Sequence, residues 1–184
     1  FCSAGSYVGN KNVKFSVVRY GNVMGSRGSV IPSFLKGQKE GIIKITDKNM
    51  TRFNISLTDG VKMVMHALFH AWGGEIFIPK IPSYRILDVA DAVCRKCEKK
   101  IVGVRPGEKI HEEMITASDS FNTYDIDKYY VILPVVTKWN IDEFINEFSA
   151  KKVKPGFSYN SGTNENWESV SSLKKLIKEH VQSN

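Results

Sequence analysis

This sequence predicts an α/β fold, and three observations carry that expectation. Short runs rich in β-branched and aromatic residues, KFSVVRY at 14–20 and EIFIP at 75–79, are bounded by polar or glycine residues, as buried strands are. A long helical pattern at 59–72 precedes the second run, so strand, helix and strand recur in the manner of βαβ units. The first strand empties into RYGNVMGSRGSVIP, residues 19–32, which crowds three glycines, an asparagine and two arginines into one loop. Such a strand end is where α/β folds seat a phosphorylated ligand. Glycines let backbone N–H groups approach oxyanions, while Asn and Arg supply directed donors.

The elements follow in order. Residues 5–12 read as a polar turn, and residues 30–37 as a short helix with Pro32 in its first turn. GIIKIT at 41–46 is the next strand. In the helix at 59–72, Val61, Val64, Met65, Leu68 and Trp72 fall within one sector at about 100° per residue and form its apolar face. Asp59 stands at the N-cap, and Gly73-Gly74 ends the element. A second helix spans 86–97, with Ile86, Val89, Ala90, Val93 and Cys97 inward. Residues 100–104 form a strand that runs into Arg105-Pro106-Gly107-Glu108, a turn expected to open a short helix through Met114. Residues 129–133 read as a strand, and 156–167 as irregular. Ser169 caps a last helix striped by Val170, Leu173, Ile177 and Val181.

The bulk composition bounds the function. The 184 residues suffice for one domain with a hydrophobic core, or one plus an appendage. With 42% hydrophobic and 24% charged residues, the chain is of ordinary globular composition. No apolar run approaches the ~20 residues of a membrane span. Three cysteines are too few for a disulfide framework, so a reducing cytoplasm is expected. The net charge of +7 suits a diphosphate substrate, whereas no basic stripe interleaved with aromatics marks a nucleic-acid surface. Phe1-Cys2-Ser3-Ala4 has neither an initiator Met nor a signal-peptide pattern. It reads as the end of a helix, so the chain is expected to be the carboxyl portion of a longer polypeptide.

Several constellations have plainer readings than their motifs suggest. Cys94-Arg95-Lys96-Cys97 lacks the second pair a tetrahedral zinc site needs and lies at a helix end, so it reads as structural. His66 and His70 are spaced for a metal but project away from the apolar sector, toward water. Tyr7 and Lys11 match Y-x-x-x-K, yet Gly9 and Asn10 between them break the helix that pairing requires. The glycine loop is neither a P-loop nor a G-x-G-x-x-G fingerprint. Arg105 offers a fork suited to a diphosphate, and Glu108 a carboxylate suited to ribose hydroxyls. Arg52 adds a further cation ahead of the long helix.

In combination, VVRYGNVMGSRGSVIP, ITDKNMTRFNISLTDGV, GGEIFIPKIPS and GVRPGEKIHEEMI, followed by YNSGTNENW, resemble one family. It is that of the inverting UDP-N-acetylglucosamine 4,6-dehydratases, extended short-chain dehydrogenase/reductases of pseudaminic acid biosynthesis. Capsule-type polysaccharide biosynthesis dehydratases are the next nearest. The resemblance implies the C-terminal part of an extended Rossmann-like fold. Residues 1–30 would end the NADP-binding domain, and residues 31–184 would be mainly a substrate-binding lobe, with the strand at 75–79 returning to the Rossmann sheet. It also implies that Asn22 and Arg105 contact the UDP diphosphate or sugar, that Glu108 holds the ribose, and that Val30 and Thr46 line the uridine side. Tyr20 and Gly21 would lie beside the nicotinamide end of NADP. The family's glycine-rich cofactor loop, Thr-Asp-Lys segment and helical Tyr-x-x-x-Lys have no counterpart in this chain, so its catalytic residues are expected upstream. The partners implied are UDP-N-acetylglucosamine, the N-terminal Rossmann half and further copies in a homo-oligomer. A non-catalytic nucleotide-sugar binding module and a basic nucleic-acid adaptor remain as alternatives.

Overall fold

The computed structural model describes residues 12–26 and 29–181, and the chain passes repeatedly between two compact units. One comprises the described residues up to Tyr20 together with Thr58–Lys80 and Glu113–Tyr159. The other comprises Gly21–Leu57, Ile81–Glu112 and the described residues from Asn160 onward.

The elements are β1 (Val17–Val18), β2 (Asn22–Val23), α1 (Val30–Glu40), β3 (Ile42–Ile45), β4 (Thr51–Ile55) and α2 (Leu57–His70). There follow β5 (Ile76–Pro79), β6 (Ser83–Arg85), α3 (Ile86–Cys94), β7 (Glu98–Ile101), β8 (Glu113–Ile115), β9 (Thr123–Ile126) and β10 (Tyr129–Ile132). The last are α4 (Ile141–Glu147), β11 (Lys151–Lys152), β12 (Tyr159–Asn160) and α5 (Val170–His180).

The first unit is built on a five-stranded sheet in the order β1-β5-β10-β9-β11. Its β1 and β5 run parallel and the remaining pairs antiparallel. Met63 and Ala67 of α2 pack with Phe77, Val131, Leu133 and Phe144 to form the core. Glu75, fully buried just before β5, organises the entry to this sheet. Its carboxylate accepts from the N–H groups of Trp72 and Gly73, in the turn that follows α2, and from the Ser16 hydroxyl, so these donors are satisfied around a buried charge.

The second unit holds β2-β4-β6 and the parallel pair β3-β7. In β3, Ile43 and Ile45 are buried while Ile42 and Lys44 point outward, the period-two alternation of a strand with one core face. Those isoleucines meet Ile31 and Phe34 of α1, Val89 and Ala90 of α3, and Leu173 and Ile177 of α5. The capping of α5 follows the expectation. Ser169 Oγ accepts from Ser172 N–H while Ser172 Oγ accepts from Ser169 N–H.

Several expectations need correction. The strand expected over 14–20 is paired only at Val17–Val18, and the helix expected over 86–97 stops at Cys94. No helix follows the turn at 105–108; residues 113–115 are extended instead. The largest departure concerns α2, whose buried face is Gly60, Met63 and Ala67, while Val61, Val64, Met65 and Leu68 are exposed. Cys94 and Cys97 are joined as a disulfide, whereas three cysteines predict no disulfide framework and the pair is expected to carry no redox chemistry.

Candidate functional site

In the second unit, side chains distant in sequence surround one cavity of about 190 Å³. Asn22 reaches it from β2, Val30 from the first turn of α1, Thr46 from the end of β3, and Glu108 from the turn beyond β7. Four of the five residues expected to bind substrate therefore share one cavity. The fifth, Arg105, is not on its wall; its side chain is exposed at the opening position of the turn that ends in Glu108.

That turn is fixed by its own sequence. Pro106 presets its first central position, and Gly107 supplies a φ of +82° at the second, as a type II turn requires. Glu108 N–H donates to Arg105 O at 3.0 Å, and Arg105 N–H donates to Glu108 Oε2 at 3.3 Å. The carboxylate is thus partly committed to the turn while still lining the cavity.

Sequence reasoning passed over Lys44 and did not place Arg52 in the site, although both line the cavity, as do Phe34, Met50 and Ile86. The wall therefore combines two cations, one carboxylate and one carboxamide with apolar surface. Cations and a carboxamide can donate to diphosphate oxygens, and a carboxylate can accept from ribose hydroxyls, so the wall suits a nucleoside diphosphate. The alternation of β3 was the available signal for Lys44, since Ile43 and Ile45 turn inward and leave it on the other face.

Arg52 also does structural work. Its Nη1 donates to Thr51 O at 2.6 Å and Ile110 O at 3.0 Å, and its Nη2 donates to Lys109 O at 2.8 Å. Its Nε lies 3.7 Å from Glu112 Oε1. The guanidinium thereby ties β4 to the segment immediately following Glu108. Burial raises the Glu112 carboxyl above its ordinary range, opposed by the Phe53 N–H that donates to it and by the charges of Arg52 and Lys109. Beneath these groups, the Thr51 hydroxyl lies 2.8 Å from His111 Nδ1 and 2.7 Å from the Ser161 hydroxyl, a small polar network that anchors β4.

Asn22 is held from below. Tyr84, almost fully buried, has its hydroxyl hydrogen-bonded to the Asn22 side chain. Burial pushes the Tyr84 phenol up to about 12, against the opposing effect of that hydrogen bond, so it remains protonated at neutral pH.

Of the residues expected beside the cofactor, Tyr20 is 43% exposed, so its ring is accessible to a ligand. At Gly21 a Cβ would stand 2.4 Å from Phe53 Cβ, so the close approach of β4 already requires glycine there. Arg19 is engaged within the first unit, where its Nη1 donates to Met114 O at 2.6 Å and lies 3.9 Å from Asp119. Arg27 and Gly28, like Tyr7, Lys11 and the start of the chain, lie outside the described residues.

The paired histidines are not both solvated as expected. His66 is half-buried, stacked on Tyr129 at 4.5 Å with Phe77 edge-on at 5.8 Å. Burial, aided by nearby His70, lowers its pKa. Among the described residues no group of three His, Cys, Asp or Glu is arranged to hold a metal ion.

Comparison with known proteins identifies the family. A family model described as a polysaccharide biosynthesis protein matches residues 1–134. The chain is 48% identical over 186 residues to a UDP-N-acetylglucosamine 4,6-dehydratase (inverting) of Campylobacter jejuni subsp. jejuni serotype O:2, covering 96% of this chain and 55% of that protein. It is 49% identical to the protein of the same name from serotype O:23/36, again over 96% of this chain and 55% of the relative. The X-ray structure of Pen from Bacillus thuringiensis superimposes with a TM-score of 0.81 at 32% identity, covering 97% of this chain and 54% of that one. The chain spans about half the length of the curated relatives it matches, and aligns with their carboxyl-terminal part.

Proposed function

Since the chain belongs to the polysaccharide biosynthesis protein family, we propose that it is the substrate-binding carboxyl-terminal portion of an NADP-dependent UDP-N-acetylglucosamine 4,6-dehydratase that inverts C5. Its fold is the α/β architecture of extended short-chain dehydrogenase/reductases. The product of the whole enzyme would be a UDP-4-keto-6-deoxy amino sugar for surface glycans such as those containing pseudaminic acid.

The observation that carries this reading is the gathering of Asn22, Val30, Thr46 and Glu108 around one cavity. In it, the Asn22 carboxamide donates to a diphosphate oxygen, oriented by Tyr84, and Lys44 and Arg52 offset the diphosphate charge. Arg105 swings from its exposed turn to close over the same group. Glu108 accepts from the ribose hydroxyls, and Val30 and Thr46 flank the uracil. Tyr20 and Gly21 border the nicotinamide. NADP, when bound, supplies the acceptance and return of hydride; the acid and base groups of the reaction belong to the part of the family's fold outside this chain. Interactions made equally in ground and transition states set affinity and leave the chemical step unchanged. Residues of this lobe therefore act on KM.

Calorimetric titration of UDP into the chain tests the reading. UDP binds the wild-type chain, Asn22→Ala and Glu108→Ala each weaken it about tenfold, and NADP binds poorly. Absence of UDP binding, or affinity unchanged in both variants, contradicts it. Turnover of UDP-N-acetylglucosamine by these residues alone would contradict the assignment of catalysis elsewhere.

A further inference from the structure

We propose that Cys94 and Cys97 form a reversible dithiol–disulfide couple, a modification site that exchanges with an anionic low-molecular-weight thiol and fastens the start of β7 when oxidised. The inference goes beyond the ligand reading above and does not depend on what the cavity holds.

Four observations carry it, all within the second unit. The bond joins positions only three apart in sequence, the last residue of α3 and the residue just ahead of β7. A cross-link stabilises a fold chiefly by closing loops in the unfolded chain, and gains with loop length. A bond that closes so short a loop is a weak staple. The sulfurs are also within reach of an attacking thiol. Both cysteines are half-buried, packed against the rim of the core formed by α1, β3, α3 and α5 and not sealed inside it.

Third, the surroundings are basic. Arg95 and Lys96, between the two cysteines, are exposed, and Lys99 and Lys100 follow, with Glu98 the one acidic residue among them. Lys99 Nζ donates to Arg95 O at 3.2 Å, which holds its ammonium at the turn, while Asp91 Oδ1 at 2.5 Å offsets part of that charge. The remaining cations attract an anionic thiol and favour the thiolate that an exchange releases.

Fourth, the surroundings accommodate both oxidation states. Cys97 Sγ lies 4.0 Å from Gln38 O, so the reduced thiol has an acceptor. Gln38 Nε2 donates to Val93 O at 2.9 Å, so α1 keeps its grip on the end of α3 without the bond. What the bond adds is a fixed entry to β7. Glu98 N–H, directly after Cys97, donates to Gly41 O at 3.0 Å, and β7 then runs parallel to β3 with Lys100 opposite Lys44.

In the exchange, a thiolate attacks one of the two sulfurs, the S–S bond breaks, and the other cysteine leaves as a thiolate and takes up a proton. A second thiolate attacks the small thiol's sulfur in the mixed disulfide and releases the remaining cysteine. Two electrons pass to the protein, one small-molecule disulfide forms, and oxidation is the reverse.

The test uses the whole chain carrying Cys2→Ser, which leaves only this pair. The native protein is equilibrated with mixtures of reduced and oxidised glutathione, alkylated and weighed. Alkylation passes from neither cysteine to both as the mixture becomes reducing, and returns when it is reversed. Reduction of the oxidised chain by glutathione slows severalfold in high salt and in Arg95→Gln/Lys96→Gln. By hydrogen exchange, the Glu98 amide exchanges about tenfold faster in the reduced chain than in the oxidised one, while the Met24 amide, bonded to Ile55 O in the same unit, is unchanged. A pair that stays reduced in oxidised glutathione, or that stays oxidised under excess reduced glutathione until the chain unfolds, overturns the couple. Exchange at Glu98 that ignores the state of the pair overturns the fastening of β7. Reduction indifferent to salt and to both substitutions overturns the anionic partner.

Discussion

In α5 the stripe assigned to the core by the sequence is in the core, Leu173 fully buried and Ile177 nearly so, whereas in α2 the equally regular stripe of Val61, Val64, Met65 and Leu68 faces outward. The two helices obey the same periodicity. They differ in what the chain offers them to pack against. For α5 the partners are α1, β3 and α3 of its own unit. For α2 the partners in its own unit, Phe77, Val131, Leu133 and Phe144, satisfy the smaller face, through Met63 and Ala67, and leave the larger one open. A hydrophobic stripe therefore reports that a helix will be covered, and not by which chain segment.

The sharpest way to break this comparison is to place one charge on each stripe. Leu173→Asp buries an unpaired carboxylate and costs more than ~4 kcal/mol, enough to unfold the second unit, while Leu68→Asp stays within ~0.5 kcal/mol of wild type. Urea unfolding followed by circular dichroism measures both, and a large loss at Leu68 would mean that its stripe is already covered.

Next in size is Glu75, which closes the end of α2 against β1. Glu75→Ala leaves the N–H groups of Trp72 and Gly73 without their carboxylate and costs about 3 kcal/mol in the same assay. Its effect on UDP affinity is nil, since it lies in the unit without the cavity.

Tyr84→Phe, in the unit whose helices are all covered, has the reverse signature. It removes the hydrogen bond that orients Asn22, weakens UDP binding about fivefold, or ~1 kcal/mol, and shifts the melting temperature little. Calorimetry of the two proteins decides it.

The smallest effect concerns the packed side of α2. The pKa of His66 is lowered in the folded state, so below the unfolded value of 6.5 the unfolded chain binds more protons. The stability from neutral His66 is complete above that pH and is lost as pH falls through the lower folded value. His66→Gln should flatten the acid limb of a melting-temperature profile between pH 5 and 7, about the ordinary histidine range.

Much of this fold was legible because local chemistry and tertiary outcome coincided. Ser169 reads as a cap and makes a capping box, and Pro106-Gly107 reads as a turn and forms one. The alternation in GIIKIT gave β3 directly. What failed to appear depended on partners rather than pattern. Residues 51–55 were unmarked as a strand because four of the five are buried and no alternation shows. The helix at 86–97 was overextended because Cys97 kept its period beyond the last helical turn. Lys44 and Arg52 escaped the site because a cavity wall is assembled from strands far apart in sequence.

The central claim is that side chains from β2, α1, β3 and the turn at Glu108 receive one nucleoside diphosphate. Titrating UDP into the isotopically labelled chain, with amide shifts assigned by residue, tests it most directly. The account predicts saturable shifts concentrated at Asn22, Val30, Lys44, Thr46 and Glu108, spreading to Arg105 as its turn closes. Shifts confined to other residues, or none at millimolar UDP, would contradict it.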